Sequence, residues 1–381
     1  MANKKKQHYV PKCLLKQFSN DDNKVFLFHL IKNMILPNSI PYKQQCYTDY
    51  MYGKDDSWEN LLASYESSLA YIIDKIKENQ KITLEEEATV KSFILYQHLR
   101  TEKAIDNNNF MLEQMITKLI PIVTQMENIK FNPFQTAMFA KQYVQNNHPR
   151  VVTATMNLEF AKSYSNSLND LKLLILHSAN NEFVCSDAPV IMDNLFQPEN
   201  GLGIECVGII FIMPVSLHYA IILYDNKIYN IDKQENENII EITDEETRQI
   251  NYLSFLFARE LLFSCNQKNL IDIKRYFDRK YIDKPLRDIF LMFGIVDPIL
   301  IGIEISKLKK SKIKIIDETI PKFFAKKADE IFPIVKLIDD FRPYKNDLNA
   351  NFSRKNTLQE LSFKMSYWDK NYCDLVRKYL A

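Results

Sequence analysis

The stretch LKLLILHSANNEFVCSDAPVI, residues 171–191, is where the chain changes its period. Leu171 to Leu176 and Phe183 to Cys185 are short runs of branched and aromatic residues bounded by turn formers, a pattern that predicts strands. Val207 to Met213 and Leu217 to Tyr224 repeat it downstream. Residues from about 169 to 225 therefore predict an antiparallel or mixed sheet.

Upstream of Asn169 the apolar residues recur at helical spacing. Leu62, Tyr65, Leu69, Ile72, Ile73 and Ile76 define one stripe, with Asp56 and Glu59 as an expected N-terminal cap. Thr83 and Glu86 have capping-box spacing and open a helix expected over 84–105, its stripe formed by Val90, Ile94, His98 and Ile105. Further helices are expected over 110–128, 134–147 and 152–167, so about 57–167 reads as a helical block.

At the N-terminus, Pro11 biases Val10 toward an extended conformation and itself suits the first turn of a helix. Gln7 to Val10 predicts a short strand, and Pro11 to Phe18 a helix burying Leu14, Leu15 and Phe18. Val25 to Leu30 and Asn33 to Leu36 predict a hairpin. Beyond the sheet, the acidic stretch 232–247 is expected as an exposed edge or loop, with helices over 246–265 and 267–280. The fold class is α+β: an N-terminal small β element, a central helical block, then an antiparallel or mixed sheet with flanking helices. One domain is expected over 1–284. Residues 285–381, with a Lys-rich connector from Lys307 to Lys314, form a C-terminal extension.

Charge and composition exclude several functions. The 381 residues carry 49 Lys plus Arg against 48 Asp plus Glu, a net charge of +1, which makes no case for a dedicated nucleic-acid binder. The six glycines form no GxGxxG or phosphate loop. The six cysteines show no CxxC pair and no spacing for a zinc site or disulfide framework, so reduced thiols and a cytoplasmic setting are expected. No secretory h-region follows the basic start, and no apolar run approaches the ~20 residues of a membrane span. Phe290 to Ile305 comes closest, but Asp297-Pro298 interrupts it, and it reads as core.

Three segments in this order carry a resemblance: QHYVPKCLLKQFSNDDNKVFLF near the N-terminus, FILYQHLRT at 93–101 and LKLLILHSANNEFVCSDAPVI at 171–191. They resemble the domain-of-unknown-function 4238 family, as do IMPVSLHYAIIL at 212–223 and Asn251 with Ala258 ahead of Phe263-Ser264. The resemblance covers about residues 5–265. Cys185 stands where the family commonly has Thr. The resemblance implies a largely microbial distribution, with some members near genes for conflict with mobile elements.

The candidate functional residues fall in those segments, and each has two readings. His8 is a general acid/base or metal ligand, or a histidine that anchors the first strand through backbone hydrogen bonds. Gln97, Arg100 and Thr101 share a helix face, and a buried Gln–Arg pair needs a partner: an anionic ligand, or a structural carboxylate such as Asp187. Asp187 orients His8, pairs with Arg100 or holds a metal ion, or else caps an Asx-type turn before Pro189. His98 reads as a core histidine, Cys185 as a small buried hydrophobe, and His177 and His218 as surface or packing residues. Ser186 lacks a nucleophile-elbow context.

Taken together, His8, Gln97, Arg100 and Asp187 suggest a hydrolase acting on nucleic acid or a nucleotide-derived substrate, a nuclease-like toxin or antiviral defence effector. The alternative is a non-catalytic sensor or scaffold of a microbial conflict system, in which the same residues form a buried network. The sequence specifies neither a cofactor nor a metal. It suggests a nucleic acid or nucleotide as partner, a protein partner through the C-terminal region, and no membrane.

Overall fold

The computed structural model describes residues 5–126, 132–196, 203–231, 238–280, 334–345, 353–356 and 370–380. The chain enters as β1 (Lys6–His8) and α1 (Lys12–Lys16), then forms β2 (Lys24–His29), β3 (Met34–Ile35), β4 (Ile40–Pro41) and β5 (Tyr47–Asp49). Leu14, Leu15 and Phe18 are fully buried, and β2 and β3 make the expected hairpin. The helical block is α2 (Ser57–Lys77), α3 (Leu84–Leu99), α4 (Glu102–Met126), α5 (Pro133–Asn147) and α6 (Arg150–Ser163). Then come β6 (Lys172–Ser178), β7 (Cys185–Ser186), β8 (Ile191–Asn194), β9 (Ile209–Pro214), β10 (Tyr219–Tyr224), β11 (Tyr229–Asn230) and β12 (Ile239–Ile242). The last elements are α7 (Asp244–Phe257), β13 (Leu261–Ser264), α8 (Gln267–Lys280), β14 (Lys336–Leu337) and α9 (Lys370–Leu380). The architecture is α+β, as expected.

Two sheets carry the core. The larger has the order β12-β6-β10-β9-β8, antiparallel except for the parallel β12–β6 pair. Every residue of β9 and β10 is buried, so these strands read as unbroken apolar runs. The smaller sheet runs β3-β2-β13-β7, with β4 on the start of β2. In it the N-terminal hairpin pairs with Leu261–Ser264, placing Leu27 opposite Phe263.

Three local expectations are corrected. The helix expected over 84–105 breaks after Leu99. The Tyr52 hydroxyl donates to the Arg100 carbonyl at 3.1 Å, and Thr101 Oγ1 accepts the Ala104 N–H at 3.2 Å, so Thr101 caps a new helix instead of sharing a face with Gln97. The helix expected over 246–265 ends at Phe257, and 261–264 is a strand, because Asp187 holds the intervening backbone in a turn. Asp56 makes no capping hydrogen bond. Its neighbour Asp55 accepts the Ser57 N–H at 3.0 Å.

Segments of the C-terminal region are built onto this framework. Lys336–Leu337 pairs with β11. The fully buried Arg354 guanidinium grips Asp170 at 3.0 Å and donates to the carbonyls of Ser167, Ile204 and Cys206. From α9, the Tyr379 hydroxyl donates to the buried Asp225 at 3.0 Å. The apolar segment 290–305 and the Lys-rich connector 307–314 lie outside the described residues. No described helix is long and apolar enough to cross a membrane.

Candidate functional site

Alternation along β1 sends Gln7 and His8 to opposite faces. Gln7 is buried; its amide oxygen accepts the Tyr52 N–H at 2.6 Å and its amide nitrogen donates to the Gly53 carbonyl at 2.9 Å. His8 is half-buried, with Nε2 3.3 Å from the Lys43 carbonyl and its ring 5.5 Å from that of Tyr47. A carbonyl only accepts, so Nε2 carries the proton when this bond forms. Burial lowers the His8 pKa, which keeps the ring neutral at neutral pH.

The next residue is held from α3. Gln97 Nε2 donates to the Tyr9 carbonyl at 2.9 Å, and Gln97 Oε1 accepts from Arg100 Nε at 2.8 Å. Arg100, with no exposed side-chain surface, donates through Nη1 to Glu66 Oε1 of α2 at 2.8 Å. Its guanidinium lies 5.8 Å from the Phe93 ring centroid, and its buried Nη2 has no hydrogen-bond partner among the described residues. The carboxylate paired with Arg100 is thus Glu66. The expected pairing with Asp187 does not form, because α2 lies alongside α3 and brings its own acidic residue over the guanidinium.

Asp187 belongs to a second network. Its Oδ1 accepts the Arg259 N–H at 2.8 Å, and its Oδ2 accepts those of Glu260 at 2.9 Å and Leu261 at 3.0 Å. Burial pushes its pKa up to about 6 against the opposing pull of those N–H groups and of Arg259. The hydrogen-bonded side chains of Tyr9 and Cys46 lie within electrostatic range of it. Tyr9 therefore stands between the networks, with its carbonyl on Gln97 and its phenol toward Asp187. The structure brings Gln97, Arg100 and the His8 segment together at one centre and places Asp187 at another.

From Asp187 the second network runs outward. Arg259 Nε donates to Asp106 Oδ2 at 2.6 Å, and Arg150 Nη1 to Asp106 Oδ1 at 2.5 Å. Arg150 also pairs with Glu102, whose other oxygen accepts from Thr48 Oγ1 at 2.8 Å. Asp106 thus bridges two guanidinium groups, one facing the sheet and one facing solvent.

That solvent side opens into a cleft of about 580 Å³ between α4 and α5, lined by Asp106, Phe110, Glu113, Lys141, His148 and Arg150, among others. Pockets of roughly 300–1,000 Å³ are the usual size for small-molecule sites. Burial raises the Glu113 pKa, and Lys141 pulls it the other way. None of the cleft residues was anticipated as a site. The signal was nevertheless present: Glu102, Asp106, Asn109 and Glu113 recur at i, i+4, i+7 and i+11, which puts four polar side chains on one face of a helix. Among the described residues no group of three His, Cys, Asp or Glu side chains is placed to hold a metal ion.

The fold and its two networks define an α+β protein whose first strand is bolted to a helical block by buried polar side chains. The family model described as "Protein of unknown function (DUF4238)" matches residues 6–268, and the chain belongs to that family. Comparisons with curated proteins and with solved structures find no match.

Proposed function

We propose that the cleft between α4 and α5 is the working site, and that the protein is a hydrolase acting on a phosphate ester of a nucleic acid or nucleotide-derived compound. The observation that carries this reading is Glu113, a carboxyl with its pKa raised by burial, lining an open cleft with Lys141, His148 and Arg150. Raised acids beside basic groups are a recurring signature of reaction sites. In the step envisaged, a water oxygen attacks phosphorus while His148 takes its proton. The bond to the leaving oxygen breaks, and that oxygen takes the Glu113 proton. Lys141 and Arg150 hold the non-bridging oxygens.

His8, Gln97, Arg100 and Asp187 then serve as positioning residues. Gln97 and Arg100 fix the first strand, and Asp187 fixes the turn that presents Arg259 to Asp106 and so to Arg150. None of the six cysteines forms a disulfide, which supports a reducing compartment, with the cytoplasm as the setting. A role as a toxin or effector in microbial defence comes from the family resemblance.

The test is turnover of bis(p-nitrophenyl) phosphate, a nucleoside monophosphate and single-stranded DNA by the full chain. Glu113→Gln and His148→Asn are each expected to lower kcat by about 100-fold or more, the usual scale of general acid–base catalysis, with the melting temperature unchanged. In the wild type the rate falls as pH rises through the raised Glu113 pKa, and that limb disappears in Glu113→Gln. Full turnover by a folded Glu113→Gln would end the proposal.

A second reading is a non-catalytic sensor or scaffold, favoured by the sealed burial of Gln97 and Arg100 and by the ion pairs that engage Arg150. Buried polar networks can specify one packing arrangement without supplying chemistry. On this reading the cleft binds its ligand and leaves it unchanged, so the same ligand protects the chain from thermal unfolding with no product formed.

A further inference from the structure

The cleft carries information about the size of its ligand, and the following inference rests on the phosphate-ester reading above. Of its cations, Arg150 is engaged by Asp106 and Glu102, and Lys141 lies within electrostatic range of Glu113. Asp106 and Glu113 put two carboxyl groups on the same wall. A nucleic-acid tract needs a row of Lys and Arg to neutralise successive phosphates. With Glu113 holding its proton, as the step above requires, Lys141 keeps a charge for one phosphate and no more. The net charge of +1 over the whole chain gives no overall attraction for a polyanion.

The cleft also contains a flat apolar group. Phe110 is half-buried and lines the same space one turn from Asp106 and three residues before Glu113. An aromatic face beside a single phosphate-sized cationic patch suits a ring stacked on Phe110, with its phosphate reaching Lys141, His148 and Arg150. We infer that the ligand is a small phosphate monoester carrying an aromatic ring, a nucleoside monophosphate in chemical class, and that polymeric nucleic acid is excluded.

The experiment is calorimetric titration of the full chain with AMP, ribose 5-phosphate and a 20-nucleotide single-stranded DNA, repeated on Phe110→Ala and on Phe110→Leu, which keeps apolar volume but removes the ring. AMP should bind one to one and at least about tenfold tighter than ribose 5-phosphate, since stacking one base on an aromatic side chain is worth roughly that much or more. Both variants should erase that advantage and leave ribose 5-phosphate unaffected. Equal affinity for AMP and ribose 5-phosphate, or an advantage that survives in Phe110→Leu, overturns the aromatic assignment. Tighter binding of the DNA, with a steep salt dependence, overturns the size assignment. Failure of all three compounds to bind the folded wild type removes the phosphate-ester reading itself.

Discussion

At Arg100 a guanidinium with no exposed surface rests on one carboxylate, Glu66, and one amide, Gln97. Removing only the carboxylate leaves a buried charge uncompensated, which costs 3–5 kcal/mol at fully buried sites. Glu66 is 27% exposed, so solvent screens part of this. Glu66→Gln should cost about 1–3 kcal/mol in urea denaturation. Arg100→Met, which removes charge and desolvation penalty together, should cost less than Arg100→Ala. A change within 0.5 kcal/mol, about the usual range for surface substitutions, for Glu66→Gln would mean the pair contributes nothing.

The Asp187 carboxyl makes a separate claim on stability. Its folded-state pKa, about 6, lies above that of an unfolded aspartate, so the folded protein holds this proton more tightly. The associated stability is fully present below about pH 4 and is lost as pH rises through 6, with an upper limit of about 3 kcal/mol. Subtracting the stability–pH curve of Asp187→Asn from that of the wild type isolates the effect. A flat difference between pH 4 and 7 would show that the three N–H donors outweigh burial. The sequence marked Gln97, Arg100 and Asp187 as polar residues needing buried partners, but the partners were another matter. Glu66 lies 34 positions before Arg100 and the Asp187-bound N–H groups lie 72–74 positions after Asp187, distances over which periodicity is silent.

Among elements, α4 is the one whose placement matters most to the cleft. Its start is fixed by the Thr101 hydroxyl on the Ala104 N–H, five residues before Asp106. Thr101→Ala should cost about 1 kcal/mol in stability, the usual loss of an N-cap, whereas Thr101→Ser should cost less. Equal melting temperatures for the wild type and Thr101→Ala would refute this role. Sequence periodicity located α2, α5, the start of α3 and the strands β6, β9 and β10 of the large sheet, since each buries a stripe or a continuous run. It carried α3 through residue 105 because the apolar spacing of Ile94, His98 and Ile105 continues across the break. The event that stops the helix, a hydroxyl arriving from Tyr52, is tertiary. The same limit hid β13, whose Leu-Leu-Phe run reads as helical until β2 and β7 are placed on either side of it.

At the scale of the molecule, the family match ends at 268, yet Arg354 and Tyr379 lie beyond it and close over Asp170 and Asp225. Tyr379→Phe removes one buried hydrogen bond to a carboxyl and should lower stability by about 1–2 kcal/mol. Arg354→Ala should cost more, since it opens five hydrogen bonds to Asp170 and the carbonyls of Ser167, Ile204 and Cys206. If Arg354→Ala melted with the wild type, the C-terminal segments would be passengers on the domain. The α+β class could be read from the order of periods along the chain. The clasp could not, because single Arg and Tyr residues in a polar tail leave no pattern.

The pairing of β2 with β13 also sets a timetable during synthesis. His29 stands opposite Leu261, so 232 further positions must be translated before the first hairpin meets its sheet partner. At about 5–20 residues per second, the ribosome takes on the order of 10–50 s to deliver that strand. Throughout this interval the side of β2 that later meets β13 lacks its partner strand, and the nascent chain presents a sticky edge to whatever is nearby. A chaperone that occupies the emerging N-terminus would therefore raise the yield of native protein most when elongation is slow.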